Sequence, residues 1–184
     1  MPLTPAQLPT LKTNIAANSA TIPAGYPWSG VFVGQAINAL PSDSDADVAI
    51  AGWYNLAASP AWTIWRKAVP LSEIAKSLNG AELAGLTSLN HTRLQTVITL
   101  INASGGLDAS DADMRAFFDD IFSGAGGVTT RANLLVLWKK LATSNEKLFS
   151  TGTGSDVSPA TTAVNFGEFN ALSAAEVDAA RNLA

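Results

Sequence analysis

The sequence predicts a mainly α protein: a compact helical bundle ending in an extended arm or loose β-hairpin and a short terminal helix. Three observations predict it. The stretch Thr130–Phe149 repeats Leu134, Trp138, Leu141 and Leu148 near helical spacing, and Leu135, Leu137 and Phe149 widen the stripe. Helix start and stop residues recur along the rest of the chain. After Phe149 the composition changes to a low-charge run with Gly152, Gly154 and Pro159, in which β-formers gather only around Val164-Asn165-Phe166. The expected layout is a helical body over 1–150, with 19–43 as an irregular insertion. An arm over 151–172 and a terminal helix over 173–184 follow.

Thr4-Pro5-Ala6-Gln7 starts the first helix: Thr4 caps, Pro5 fits the first helical position and Gln7 completes a capping box. Leu8, Leu11 and Ile15 give it an apolar edge as far as Asn18. Three prolines and three glycines then break up residues 19–43, where Tyr26 and Trp28 stand on a turn. Both are candidate contact anchors, because aromatics dominate interface energetics; the competing reading folds them back onto the core. Ser44–Ala58 reads as helix through Ile50, Trp53, Tyr54 and Ala57. Ser59-Pro60 reads as a fresh helix start, continued by Trp62, Trp65 and Val69, so Trp53, Trp62 and Trp65 are expected to form one aromatic cluster. Short helices open at Ser72-Glu73 and at Asn79. A longer one, Ser88–Ala103, carries Leu94, Val97, Ile98 and Ile101 and closes at Gly105-Gly106. Ser110 opens the next, lined by Met114, Phe117, Phe118 and Ile121; with the 130–149 helix it should make an antiparallel pair. Ser173-Ala174-Ala175-Glu176 is a capping box for the terminal helix.

Composition narrows the function classes. The 184 residues suit a single domain, and the chain has no Cys, hence no disulfide, thiol nucleophile or Cys-based metal site. No apolar run is long enough to cross a bilayer, and no signal peptide is expected. The net charge is −4 with 11 scattered basic residues, against the clustered basic footprint that nucleic acid requires. Charged residues make up 14% of the chain, against about 25% in ordinary soluble domains. Such a surface suits a chain partly buried in an assembly.

No catalytic, cofactor or metal residues emerge. The single histidine, His91, has no evident partner and reads as structural rather than as a general base. Asp43-x-Asp45-x-Asp47 opens like a calcium loop, but Val48 stands where glycine is required and Tyr54 where the closing Glu belongs. These acids, like Asp108, Asp111 and Asp113, fit helix N-termini better. Asp119-Asp120 reads as a solvated face. Gly152-Thr153-Gly154 follows a helix and lacks the Lys-Ser/Thr of a phosphate loop.

Several segments together do carry a resemblance: Trp53-Tyr54-Asn55, SPAWTIWRKAVP at 59–70, FFDDIFSG at 117–124, RANLLVLWKKLATSNEKLFSTGTGS at 131–155, SPATTAVNFGEF at 158–169 and VDAARNL at 177–183. They resemble a family of small proteins encoded among the virion genes of tailed bacteriophages, from about residue 44 to the end. The resemblance implies a non-enzymatic structural protein of the virion, assembled in the bacterial host cytoplasm. The role it implies is a head–tail connector or adaptor in a homo-oligomeric ring at the neck. Partners would be further copies of itself, the portal and other neck or tail proteins, with no membrane and no specific nucleic-acid sequence. A tail-completion or decoration protein is the nearest alternative. A virion-associated hydrolase built on His91, or a ligand-binding module built on Tyr26 and Trp28, are the others. On the connector reading Val164, Phe166 and Phe169 of the arm are expected at contacts; the competing expectation packs the arm on its own chain.

Overall fold

A computed structural model describes residues 3–168 and 170–183. The protein is mainly α, with nine α-helices among the described residues and two small two-stranded sheets. Its internal contacts divide it into two units, each with its own core. The first comprises residues 1–62, 141–151 and 162–184; the second comprises 63–140 and 152–161.

In the first unit, α1 (Leu8–Ala17) and α2 (Ser44–Tyr54) both pack against a C-terminal helix, α9 (Ala174–Arg181). Asp43 caps α2 through Ala46 N–H, and the expected Ser173–Glu176 capping box starts α9. At the chain start Thr4 N–H donates to Gln7 Oε1, and the α-helix proper begins at Leu8. Ala46, Ala49 and Ala180 are fully buried, so small side chains allow these helices to approach closely, while Leu11, Ile50, Tyr54 and Val177 fill the core between them. Arg181 clamps the base of α2: its guanidinium pairs with Asp47 at 2.7 Å and bonds the carbonyls of Leu40 and Pro41. The insertion is ordered, with a 3-10 helix at Pro27–Phe32 and another at Ile37–Ala39, and it sends Ile22, Phe32 and Ile37 into the core.

The second unit holds α3 (Leu71–Ser77), α4 (Gly80–Ala84), α5 (Ser88–Ser104), α6 (Ala112–Ile121) and α7 (Val128–Leu137). Its sheet pairs β1 (Thr63–Trp65) with β2 (Lys139–Leu141). Side chains of Asn79, Thr87 and Asp111 cap α4, α5 and α6, and Gly105 ends α5 at φ +79, where a side chain would be strained. The core gathers Leu94, Val97, Ile101, Phe118, Ile121, Leu134 and Trp138. The start of α7 is capped from a distance: Glu82 accepts the N–H of Thr129 at 2.8 Å and of Thr130 at 2.7 Å.

Four local expectations are corrected. The 130–149 stretch is not one helix. It runs as α7, β2 and then α8 (Ser144–Leu148), which Thr143 and Glu146 start with a full capping box. Ser59-Pro60 does not open a helix: the bond is cis, residues 58–62 form an irregular segment with a bend at 59–60, Ala58 N–H bonds the Ala142 carbonyl and Ala142 N–H bonds the Trp62 carbonyl. The aromatic cluster does not form, because Trp53 packs on the first core and Trp65 on the second. The chief partner of α7 is α3, and that of α6 is α5, so α6 and α7 are not each other's main neighbours.

The segment after α8 forms the second sheet, β3 (Ser150–Thr151) with β4 (Thr161–Thr162), a small hairpin. Beyond it Ala163, Phe166 and Leu172 pack on the first core. Phe166 packs against Phe149 with ring centroids 5.6 Å apart, the side-chain amides of Asn165 and Gln7 bond each other, and Asn55 bonds both backbone groups of Leu172.

Candidate functional site

The first unit carries a cleft of about 740 Å³ walled by Asn14, Asn18, Trp53, Tyr54, Ser144 and Lys147, with neighbouring small residues. Tyr54 reaches it from the last turn of α2, and its hydroxyl donates to Asn14 Oδ1. Burial raises the Tyr54 pKa, opposed by the hydrogen bond from Asn18. Lys147 is held by the Pro60 carbonyl and lies 5.2 Å from the Trp62 ring. Amides, hydroxyls and one ammonium line this cleft among the described residues, a set suited to binding polar groups.

On the same unit the turn at 26–33 resolves the alternatives for its two aromatics. Trp28 is half-buried on α2, directly over Gly52, where a Cβ would sit 2.2 Å from the indole. Tyr26 stacks on Trp28 at 4.9 Å and stays 42% exposed. Beside them Val31, Val48, Phe32 and Asp45 line a shallow depression of about 260 Å³. Val31 is 82% exposed. Asp45 is exposed in the first turn of α2 and makes no ion pair or hydrogen bond among the described residues.

The second unit carries a groove of about 560 Å³ lined by Trp65, Val128, Leu135 and Trp138, with Arg115, Arg131 and Asp119 among them. The Arg115 guanidinium lies 4.0 Å from the Trp65 ring centroid and donates to the Ala109 carbonyl. Burial pulls its pKa below the ordinary arginine value, opposed by Asp111, Asp108 and Asp119, and the group remains a cation. Arg131 closes the end of α6 by donating to the carbonyls of Phe122 and Gly124. Both guanidiniums bond through one terminal nitrogen, which leaves their remaining donors available. Trp138 is buried at this groove with its indole N–H lacking a hydrogen-bond partner.

The other expected contact residues separate. Val164 is 95% exposed, Phe166 is 2% exposed and belongs to the first core, and Phe169 lies outside the described residues. The acids behave as caps and clamps: Asp43 and Asp111 cap helices, Asp47 pairs with Arg181, and Asp120 meets Arg93. No group of three His, Asp or Glu able to hold a metal occurs among the described residues, and no helix among them is long and apolar enough to cross a membrane. His91 stands half-buried on α5. Sequence reasoning missed Arg115 and Arg131 and read Asp45 only as an acid at a helix N-terminus. The one available signal was their neighbourhood, since each lies within a turn of an apolar or aromatic residue. No protein family, curated protein or solved structure matches this chain.

Proposed function

We propose that this chain is a structural protein of a tailed-bacteriophage particle, a head–tail connector that assembles as a ring at the neck. The sequence resemblance supplies the role, and one structural observation supports it. Each unit completes its own core yet leaves branched aliphatic side chains in solvent, with Val31 at 82% and Val164 at 95% in the first and Val136 at 72% in the second. In a chain with only 14% charged residues, such positions are suited to burial by neighbouring subunits. The chain acts in this reading by contact, without a cofactor and without chemistry.

Quantitative mass spectrometry of purified particles, referenced to the portal, tests the proposal. A copy number equal to the portal's is the expected result. Hundreds of copies would make the chain a decoration protein, and absence from the particle would overturn the structural role. In that last case the polar cleft around Tyr54 becomes the place to look for a ligand.

A further inference from the structure

Building on the ring reading, we propose which two surfaces meet. The groove of the second unit, between Trp65 and Leu135, receives the 26–33 turn and the exposed edge of α2 from the next copy, with Asp45 entering between Arg115 and Arg131.

Charge complementarity carries this inference. The groove lining holds two arginines and one carboxylate, Asp119, within walls of Trp65, Val128, Leu135 and Trp138, while Asp108 and Asp111 act on Arg115 from outside the lining and leave Arg131 as the less compensated cation. Its unused guanidinium donors suit a carboxylate that arrives with apolar flanks. The depression on the first unit is the counterpart: Asp45 is its one ionisable lining residue, framed by Val31, Val48 and Trp28. Asp45 has no partner within its own chain among the described residues, so docking costs it no existing ion pair. Both patches have the composition of interface cores, with aromatics and arginine on one side and aromatics and valine on the other.

The same charges set the symmetry. Groove against groove would bring Arg115 and Arg131 onto their own copies, and depression against depression would bring Asp45 onto Asp45. A two-fold contact through the depression is therefore repulsive, and one through the groove leaves an excess of positive charge that Asp119 only partly offsets, whereas groove against depression is attractive. A contact between two different patches propagates head to tail and closes as a ring when the rotation allows.

Disulfide trapping in the full chain tests the contact, and the absence of native cysteine makes it clean. Val48→Cys and Leu135→Cys, combined in one chain and oxidised, should give a ladder beyond the dimer on non-reducing gels. This should appear in concentrated protein or in purified particles; each single variant, with no thiol facing it across the contact, should stay monomeric on the same gels. Asp45→Arg and Arg131→Glu should each weaken self-association about tenfold, and the two together should restore it. Arg131 also holds the end of α6, so melting curves accompany these variants, and Leu135→Glu, at an exposed position, provides a second disruption of the groove. A missing ladder in both settings, or folded charge swaps that do not rescue each other, overturns the contact. If the copy number still equals the portal's, the ring role stands and only the surfaces are wrong. If the chain is also absent from particles, both readings fall.

Discussion

Replacing Arg181 with Met should destabilise the first unit by about 3–5 kcal/mol, the usual cost of leaving one member of a buried ion pair uncompensated. The size follows from the surroundings. The two side chains are only 11% and 7% exposed, so water screens the pair weakly. Methionine retains the packing of the aliphatic stem but gives nothing to the Asp47 carboxylate, which would stay buried on α2 without its cation. The carbonyls of Leu40 and Pro41 also lose their donor; Pro41 is exposed and water replaces that bond, whereas Leu40 is buried and its lost bond adds to the cost of the unpaired Asp47. Urea unfolding followed by far-ultraviolet circular dichroism measures the change as a shift in midpoint at constant slope. The double variant Arg181→Met/Asp47→Asn should lose less than Arg181→Met alone, because the unpaired charge is gone. A single-variant loss below about 1 kcal/mol, or a double-variant loss equal to the sum of both singles, would refute the account of a buried pair held by mutual compensation.

Three further perturbations test other parts of the fold. Burial of the Glu82 carboxylate works against its ionisation, but the hydrogen bonds from Thr130 and Thr129 outweigh this and hold its pKa at about 2. A depressed folded-state pKa gives stability that is complete above the unfolded value and is lost as pH falls toward about 2. Acid unfolding of Glu82→Gln, compared with wild type between pH 5 and 2, should therefore show a shallower loss. Gly127→Ala would place a Cβ 1.9 Å from the Phe122 carbonyl oxygen, so the α6–α7 turn must move; its thermal melt should report a loss of about 1–3 kcal/mol. Trp138→Phe removes an indole N–H that is buried without a partner, which offsets the lost volume, and chemical denaturation should find the net change within about 1 kcal/mol.

What could be read from the sequence was local. The starts of α4 and α9 were marked by the cap residues Asn79 and Ser173, and the structure uses both; at α6 it caps with Asp111, one residue past the Ser110 that the sequence suggested. The break after Trp138 was hidden because Leu141 and Leu148 fall in helical register by coincidence, while β2 satisfies its backbone against β1, more than seventy residues earlier. One signal was available: Thr143-Ser144-Asn145-Glu146 is a capping box in the middle of the supposed helix, and a capping box marks a new start. Ser59-Pro60 was misread for the same reason, since Pro60 suits a first helical turn locally and only the distant partner Ala142, which bonds Ala58 and Trp62 on either side, holds the segment out of a helix. At the candidate surfaces the aromatics were legible and the charges were not. Trp28 could be foreseen as a packing residue, but its seat on Gly52 depends on a glycine twenty-four residues away, and nothing near Arg131 indicates that its side chain turns back onto Phe122.

The low charge content acquires a specific meaning once the ion pairs are placed. Arg66 is tied to Glu73, Lys67 to Asp108, Lys139 to Asp156 and Arg181 to Asp47, so much of the cationic inventory works inside the fold. Apolar contact alone is non-directional and would let subunits meet in several registers. A surface crowded with alternating charges would offer many competing pairings. On the proposed contact, a chain with few uncommitted charges set among exposed valines and leucines avoids both problems, because a carboxylate placed between two guanidiniums favours one pairing over the alternatives. On this reasoning the position of Asp45 matters more than the total charge. Moving the carboxylate one helical turn, as in Asp45→Ala/Ala49→Asp, would also bury a charge at a fully buried position of α2, whereas Asp45→Ala/Val48→Asp keeps it on the exposed edge. On the proposed contact, the second pair should fold normally and lose register, and sedimentation should show aggregates or monomer in place of the ring expected of the wild-type chain; an unchanged ring would refute the role given to Asp45.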